Sequence, residues 1–163
     1  MAAQDIFDRL IKDHDKHRDL IAKIEDTVGD SPERKELFAA FKTDATAHAA
    51  TEELTLYHEL MGESSMRAYA QHAAKDHHEI EELFNELDRM DMASSGWLNK
   101  FASLKKQYLS HLKEEEETIF PDARKDLSAK RAVELKQEFN AQKPEEIERA
   151  EAGCDEKINN KIG

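Results

Sequence analysis

The sequence predicts an all-α protein, an up-down-up-down four-helix bundle with a short C-terminal helical extension. Three observations carry that expectation. The 163 residues include only 5 Gly and 3 Pro, too few for a turn-rich β protein. Charged residues make up 37% of the chain and aromatics only 7%. Apolar residues recur at three-four spacing through most of the chain, the period of one helix face.

The first stripe runs Phe7, Leu10, His14, His17, Ile21, Ile24 and Val28, with two histidines in line. Gly29-Asp30-Ser31-Pro32 reads as a stop and restart, with Ser31 as N-cap and Pro32 in the first helical turn. The second stripe is Leu37, Phe41, Ala45, His48, Glu52, Leu56 and Leu60, closed by Gly62 and the Ser64-Ser65 pair. A third helix is expected over residues 65–92, carrying Tyr69, Ala73, His77, Ile80, Phe84 and Leu87. The fourth follows Gly96 with Trp97, Phe101, Leu104, Tyr108, His111, Glu115 and Thr118, and Pro121 is its expected terminator. Beyond it, Ser128 and Pro144 mark the expected starts of two shorter helices with Val133, Leu135, Phe139 and Ile147, packed on the bundle. The chain therefore divides into a bundle over residues 1–121 and an extension over 122–163.

Composition excludes several function classes. A formal charge of -12 repels phosphate backbones and anionic lipid, so neither nucleic acid nor membrane is expected as a partner. A single cysteine, Cys154, permits neither an internal disulfide nor a thiolate cluster and suits a reducing compartment. No basic start followed by an apolar run opens the sequence, and no stretch approaches the ~18 apolar residues of a membrane span. A cytoplasmic protein is expected.

Polar residues interrupt all four stripes at one level. In antiparallel packing His14, His48, Glu52, His77, His111 and Glu115 fall within a slab of about 15 Å at a rise of ~1.5 Å per residue. His48 and His111 each precede a glutamate by four residues, so H-x-x-x-E occurs twice on one helix face. Burying four imidazoles and two carboxylates demands a compensating partner, and a metal is the simplest. Mixed nitrogen and oxygen ligands suit iron, manganese or zinc. Six such ligands could saturate one octahedral ion, but two glutamates from separate helices are also placed to bridge two ions about 3.5 to 4 Å apart, with positions left open for a small molecule. A lone histidine on such a stripe is more often a hydrogen-bonded core residue than a ligand. Four in register tip the balance.

Other polar residues near the stripes are expected to play lesser parts. His17 is expected to support a ligand, His72 and His78 to support one or lie exposed, and His58 to be a surface residue. Glu53 and most of Glu114 to Glu117 exceed what a site needs, although a small rotation would put Glu116 in place of Glu115. Met61, Met66, Met90 and Met92 read as packing, not as ligands.

These residues resemble the hemerythrin-like proteins with the HHE cation-binding domain. The resemblance rests on Asp13-His14, His48-Ala49-Ala50-Thr51-Glu52-Glu53, Asp76-His77-His78, and His111-Leu112-Lys113-Glu114-Glu115 followed by Ile119-Phe120-Pro121, over residues 5–121. It implies a non-haem centre of two iron ions, oxo- or hydroxo-bridged, with His14, His77 and both H-x-x-x-E pairs as ligands and both glutamates bridging. The family's oxygen carriers place a second histidine four residues beyond the one in helix three, whereas His77 is followed there by Glu81. The chain looks more like the bacterial branch with four histidines and two glutamates, in which solvent or a tyrosine such as Tyr57, Tyr69 or Tyr108 completes one iron.

The function expected is binding of, or reaction with, a small oxidant: hydrogen peroxide, dioxygen or nitric oxide. Catalase-like decomposition of peroxide would make the protein an enzyme. An iron- or oxygen-dependent sensing or partner-binding module, in which the C-terminal segment reports to a partner, is the alternative, with iron storage behind it.

Overall fold

The computed structural model describes the backbone of residues 3–162 and the side chains of residues 3–153; the Cys154 side chain lies outside the described residues. The helices are α1 (Ile6–Glu25), α2 (Pro32–Glu52), α3 (His58–Met61), α4 (Arg67–Arg89), α5 (Ser95–Glu114), α6 (Phe120–Asp126) and α7 (Ala129–Ile162). A π turn, Glu53–Tyr57, joins α2 to α3, and a second, Glu115–Ile119, joins α5 to α6. Helical backbone angles continue through both junctions, so the chain forms five rods: α1, α2–α3, α4, α5–α6 and α7. No strand occurs among the described residues. Nor is any described helix long and apolar enough to cross a membrane.

Local chemistry sets the helix ends. Asp5 caps α1 reciprocally, its carboxylate accepting from the Asp8 N–H while its own N–H donates to the Asp8 carboxylate. Ser31 caps α2 through the Arg34 N–H, with Pro32 in the first turn as the sequence predicts. Gly29 just before it has φ +58°, the left-handed conformation that favours glycine. Val28 departs from its expected place on the α1 stripe: the helix stops at Glu25 and Val28 is 82% exposed in the turn.

The C-terminal third also departs from expectation. Pro121 does not end the fourth rod; it falls in the first turn after the second π turn, where a missing N–H is tolerated. Ser128 does start a helix, its hydroxyl accepting from the Arg131 N–H. Pro144 does not start another but lies inside α7. It is exposed, so water can take up the Asn140 carbonyl that Pro144 cannot serve.

Two apolar clusters flank the polar layer. Ile6, Phe7, Leu10, Leu56, Leu60, Phe120, Leu135 and Phe139 belong to one. Ile21, Ile24, Phe38, Phe41, Phe84, Trp97, Phe101 and Leu104 belong to the other. Helix α7 packs along α1 and α2 and contributes Leu135 and Phe139, both fully buried, to the first cluster.

Candidate metal centre

The polar layer brings together all six residues singled out in the sequence. His14, Glu52 and Glu115 are fully buried, and His48 and His111 nearly so. His14, His48, Glu52 and Glu115 form one group whose ligand atoms lie within 4.8 Å of one another, and Glu52, His77, His111 and Glu115 form another. Both glutamates belong to both groups. Glu52 Oε2 lies 3.4 Å from His48 Nε2 and its Oε1 lies 3.3 Å from His77 Nε2. Glu115 Oε1 lies 3.4 Å from His14 Nε2 and 3.2 Å from His111 Nε2.

Three of the four rings are held by a carboxylate on Nδ1. His48 Nδ1 donates to Asp13 at 2.8 Å, His14 Nδ1 to Glu116 at 2.9 Å and His111 Nδ1 to Asp76 at 3.1 Å. His77 Nδ1 faces Glu53 at 3.3 Å, a looser contact without hydrogen-bond geometry. Each carboxylate stands on the helix before the histidine it serves: α1 serves α2, α2's rod serves α4, α4 serves α5, and α5's rod closes the ring on α1. A carboxylate on Nδ1 fixes the tautomer and leaves the Nε2 lone pair aimed inward, as metal-binding histidines require.

Most of the inward atoms lack partners, and His77 Nε2 and His111 Nε2 are hydrogen-bonded only to each other, at 3.1 Å. His14 Nε2, His48 Nε2, both Glu52 oxygens and Glu115 Oε1 are buried without a hydrogen bond. Buried polar atoms are otherwise almost always paired, and so many orphans converging on one point fit a cation there. No ligand is a thiolate, which sets the donor set apart from structural zinc and iron–sulfur sites.

The π turns place the next shell of contacts. A π turn adds one residue to the helical circuit, so Leu56 and Tyr57 are both buried on one rod, and Ile119 and Phe120 on the other. The Tyr57 hydroxyl thereby reaches across to donate to Glu115 Oε2 at 2.5 Å. Burial and the nearby Glu115 and Glu52 carboxylates push this phenol well above its usual range, so it stays a donor. Of the three tyrosines considered, Tyr57 is the one on a glutamate of the cluster. Tyr69 donates to Asp122 and Tyr108 to His17.

Burial by itself would lower the histidine pKa values, but the carboxylates outweigh it. Glu115 and Glu116 push His14 up to about 9, and Glu52 and Glu53 push His77 up to about 9. Reciprocally, His111 and His14 hold Glu115 well below the carboxylate range against its own burial.

His17 is not in either group. Its Nε2 donates to Asp44 at 2.6 Å and its Nδ1 accepts from the Tyr108 hydroxyl at 2.5 Å. Burial lowers it to about 4, leaving it neutral. His72 is exposed beside Asp76 and Glu114, His78 pairs with Glu82 at the surface, and His58 is exposed. Glu116 lies outside both groups and joins His14 to Arg18.

A cleft of about 320 Å³ between α2, α4 and α5 reaches the layer at His48, His77 and His111. Its walls include Ala45, Ala49, Ile80 and Phe84, and Glu53, His78 and Glu81 also line it.

The hemerythrin HHE cation binding domain model matches residues 5–123. The chain belongs to this family. A crystal structure of a hemerythrin HHE cation binding domain-containing protein from Mycobacterium kansasii superposes with a TM-score of 0.78 over 90% of each chain. At 20% identity that likeness establishes the hemerythrin-type fold alone. A sequence search of curated proteins finds no significant match. Both four-residue groups of this hemerythrin-type bundle lie within the matched residues.

The supporting residues were less legible than the ligand candidates. Asp13, Glu53, Asp76 and Glu116 each adjoin a cluster residue in sequence, yet each serves a histidine on another helix, which periodicity cannot reveal. Arg9 and Lys143 on Asp13 carried no sequence signal.

Proposed function

We propose that this chain is a non-haem diiron protein that binds or reacts with hydrogen peroxide, dioxygen or nitric oxide. The observation that carries the reading is the sharing of Glu52 and Glu115 between two four-residue groups. In that arrangement His14 and His48 would hold one ion and His77 and His111 the other, with Glu52 and Glu115 serving both. Iron held there would supply Lewis acidity and electrons.

The remaining work falls to the chain. Glu52 and Glu115 hold the two sites together, and the Nδ1 carboxylates on His14, His48 and His111 keep their Nε2 atoms facing inward. Ile80 and Phe84 give the cleft an apolar wall, and the small Ala45 and Ala49 leave room for a small molecule to pass. The Tyr57 hydroxyl holds Glu115 Oε2 from the far side.

The test is reconstitution with iron(II) without oxygen, measurement of iron per chain, and optical spectra after adding each of the three oxidants. Two irons per chain and a spectrum that responds to at least one oxidant are expected. Loaded protein inert to all three would sink the proposal.

A further inference from the structure

Helix α7 lies beyond the residues matched by the family model, yet three of its side chains meet His48, the carboxylate on it, or the arginine on that carboxylate. We propose that Phe139, Asn140 and Lys143 of α7 position Asp13 and through it His48, so that metal occupancy and the docking of α7 are linked. The proposal rests on His48 being a ligand, as in the diiron reading.

Asp13 is the pivot. Its carboxylate accepts from His48 Nδ1 at 2.8 Å, Arg9 Nη1 at 2.6 Å and Lys143 Nζ at 2.9 Å. Lys143 is 6% exposed and sits between two buried carboxylates, with Asp44 Oδ1 at 3.1 Å on its other side. Asn140 fixes the second donor, its side-chain oxygen accepting from Arg9 Nε at 2.7 Å. The Arg9 guanidinium in turn lies 4.9 Å over the Phe139 ring. Phe139 also meets His48 directly, ring edge to face with centroids 5.9 Å apart. One turn of α7 therefore touches the imidazole, the carboxylate that orients it, and the arginine that holds that carboxylate.

Asp13 has Arg9 and Asp44 has the exposed Lys16, and α7 adds Lys143, the buried cation that joins the two carboxylates. If α7 lifts away, Asp13 and Asp44 lose Lys143 together, and the acceptor that fixes His48 is free to turn. Coupling of this kind is reciprocal: metal that needs His48 in place favours the docked helix to the extent that docking favours metal. Lys143 is a positioning residue in this scheme, and the centre extends to the C-terminal helix.

The test uses the full chain, with iron(II) affinity measured anaerobically by chelator competition and amide exchange followed over residues 129–149. Lys143→Met is expected to weaken one of the two ions by about ten-fold or more, with Lys143→Arg recovering most of the loss. Leu135→Ala, which loosens the docking of the same helix without removing a contact to Asp13, should weaken the same ion by less than Lys143→Met does. In the wild-type chain metal should slow exchange along α7, a readout that does not depend on any variant folding. Lys143→Met binding both ions as tightly as the wild-type chain, together with exchange in α7 indifferent to metal, would overturn the proposal and leave the diiron reading standing. A wild-type chain that binds no iron would overturn both.

Discussion

At the scale of single residues the centre is defined by which atoms are shared and which are served. Because Glu52 and Glu115 belong to both groups, Glu52→Ala or Glu115→Ala should empty both metal positions. His14→Ala or His77→Ala should weaken one ion more than the other, since each histidine belongs to one group. Metal analysis of the four variants distinguishes the patterns. Protons and metal compete for the same Nε2 lone pairs. With His14 and His77 raised to about 9 from an ordinary 6.5, the metal-free fold gains stability that is full below pH 6.5 and lost as pH rises through 9. Ligation must expel those protons, so apparent metal affinity should climb from pH 7 to 9. The gap in Tm between loaded and metal-free protein should widen over the same range. His17 runs the other way. Lowered to about 4, it should stay neutral in an NMR titration down to pH 5, and its contribution to stability is lost as pH falls from 6.5 through 4.

At the scale of elements, the π turns and α7 account for most of what periodicity missed. A strict three-four reading places Leu56 on the core face of the second rod and leaves Tyr57 off it. The π turn brings Tyr57 in as well, and Tyr57→Phe should therefore cost about 1.5–3 kcal/mol, a hydrogen bond to a charged partner. Chemical denaturation of the metal-free protein measures it. The caps at Ser31 and Ser128 were legible because they follow local chemistry. Pro121 and Pro144 were read as boundaries by the same local rules; the π turn puts Pro121 in a first turn that tolerates it, and at Pro144 tertiary packing overrides the rule. For Pro144, packing of Phe139, Lys143 and Glu146 on the buried side of α7 carries the helix through. Pro144→Ala should stabilise the chain by up to about 3 kcal/mol by restoring a backbone donor.

At the scale of the whole molecule, the bundle spends its core on two apolar clusters separated by a charged layer. The six cluster residues were visible in the sequence because each breaks an apolar stripe at a matching height. The ring of carboxylates behind them was not, because each acts across a helix–helix interface. Metal that binds the folded bundle and not the unfolded chain stabilises it by mass action, so the loaded protein should be more stable than the metal-free one. Metal at a hundred times its Kd adds ~2.7 kcal/mol per site, and a chelator should lower Tm accordingly.

The most direct test of the shared-glutamate centre is the number of metal ions per chain in protein loaded with iron and freed of excess. Two ions in the wild-type chain, falling to none in Glu52→Ala, is the predicted result. One ion in the wild type, or two retained after Glu52→Ala, would contradict it.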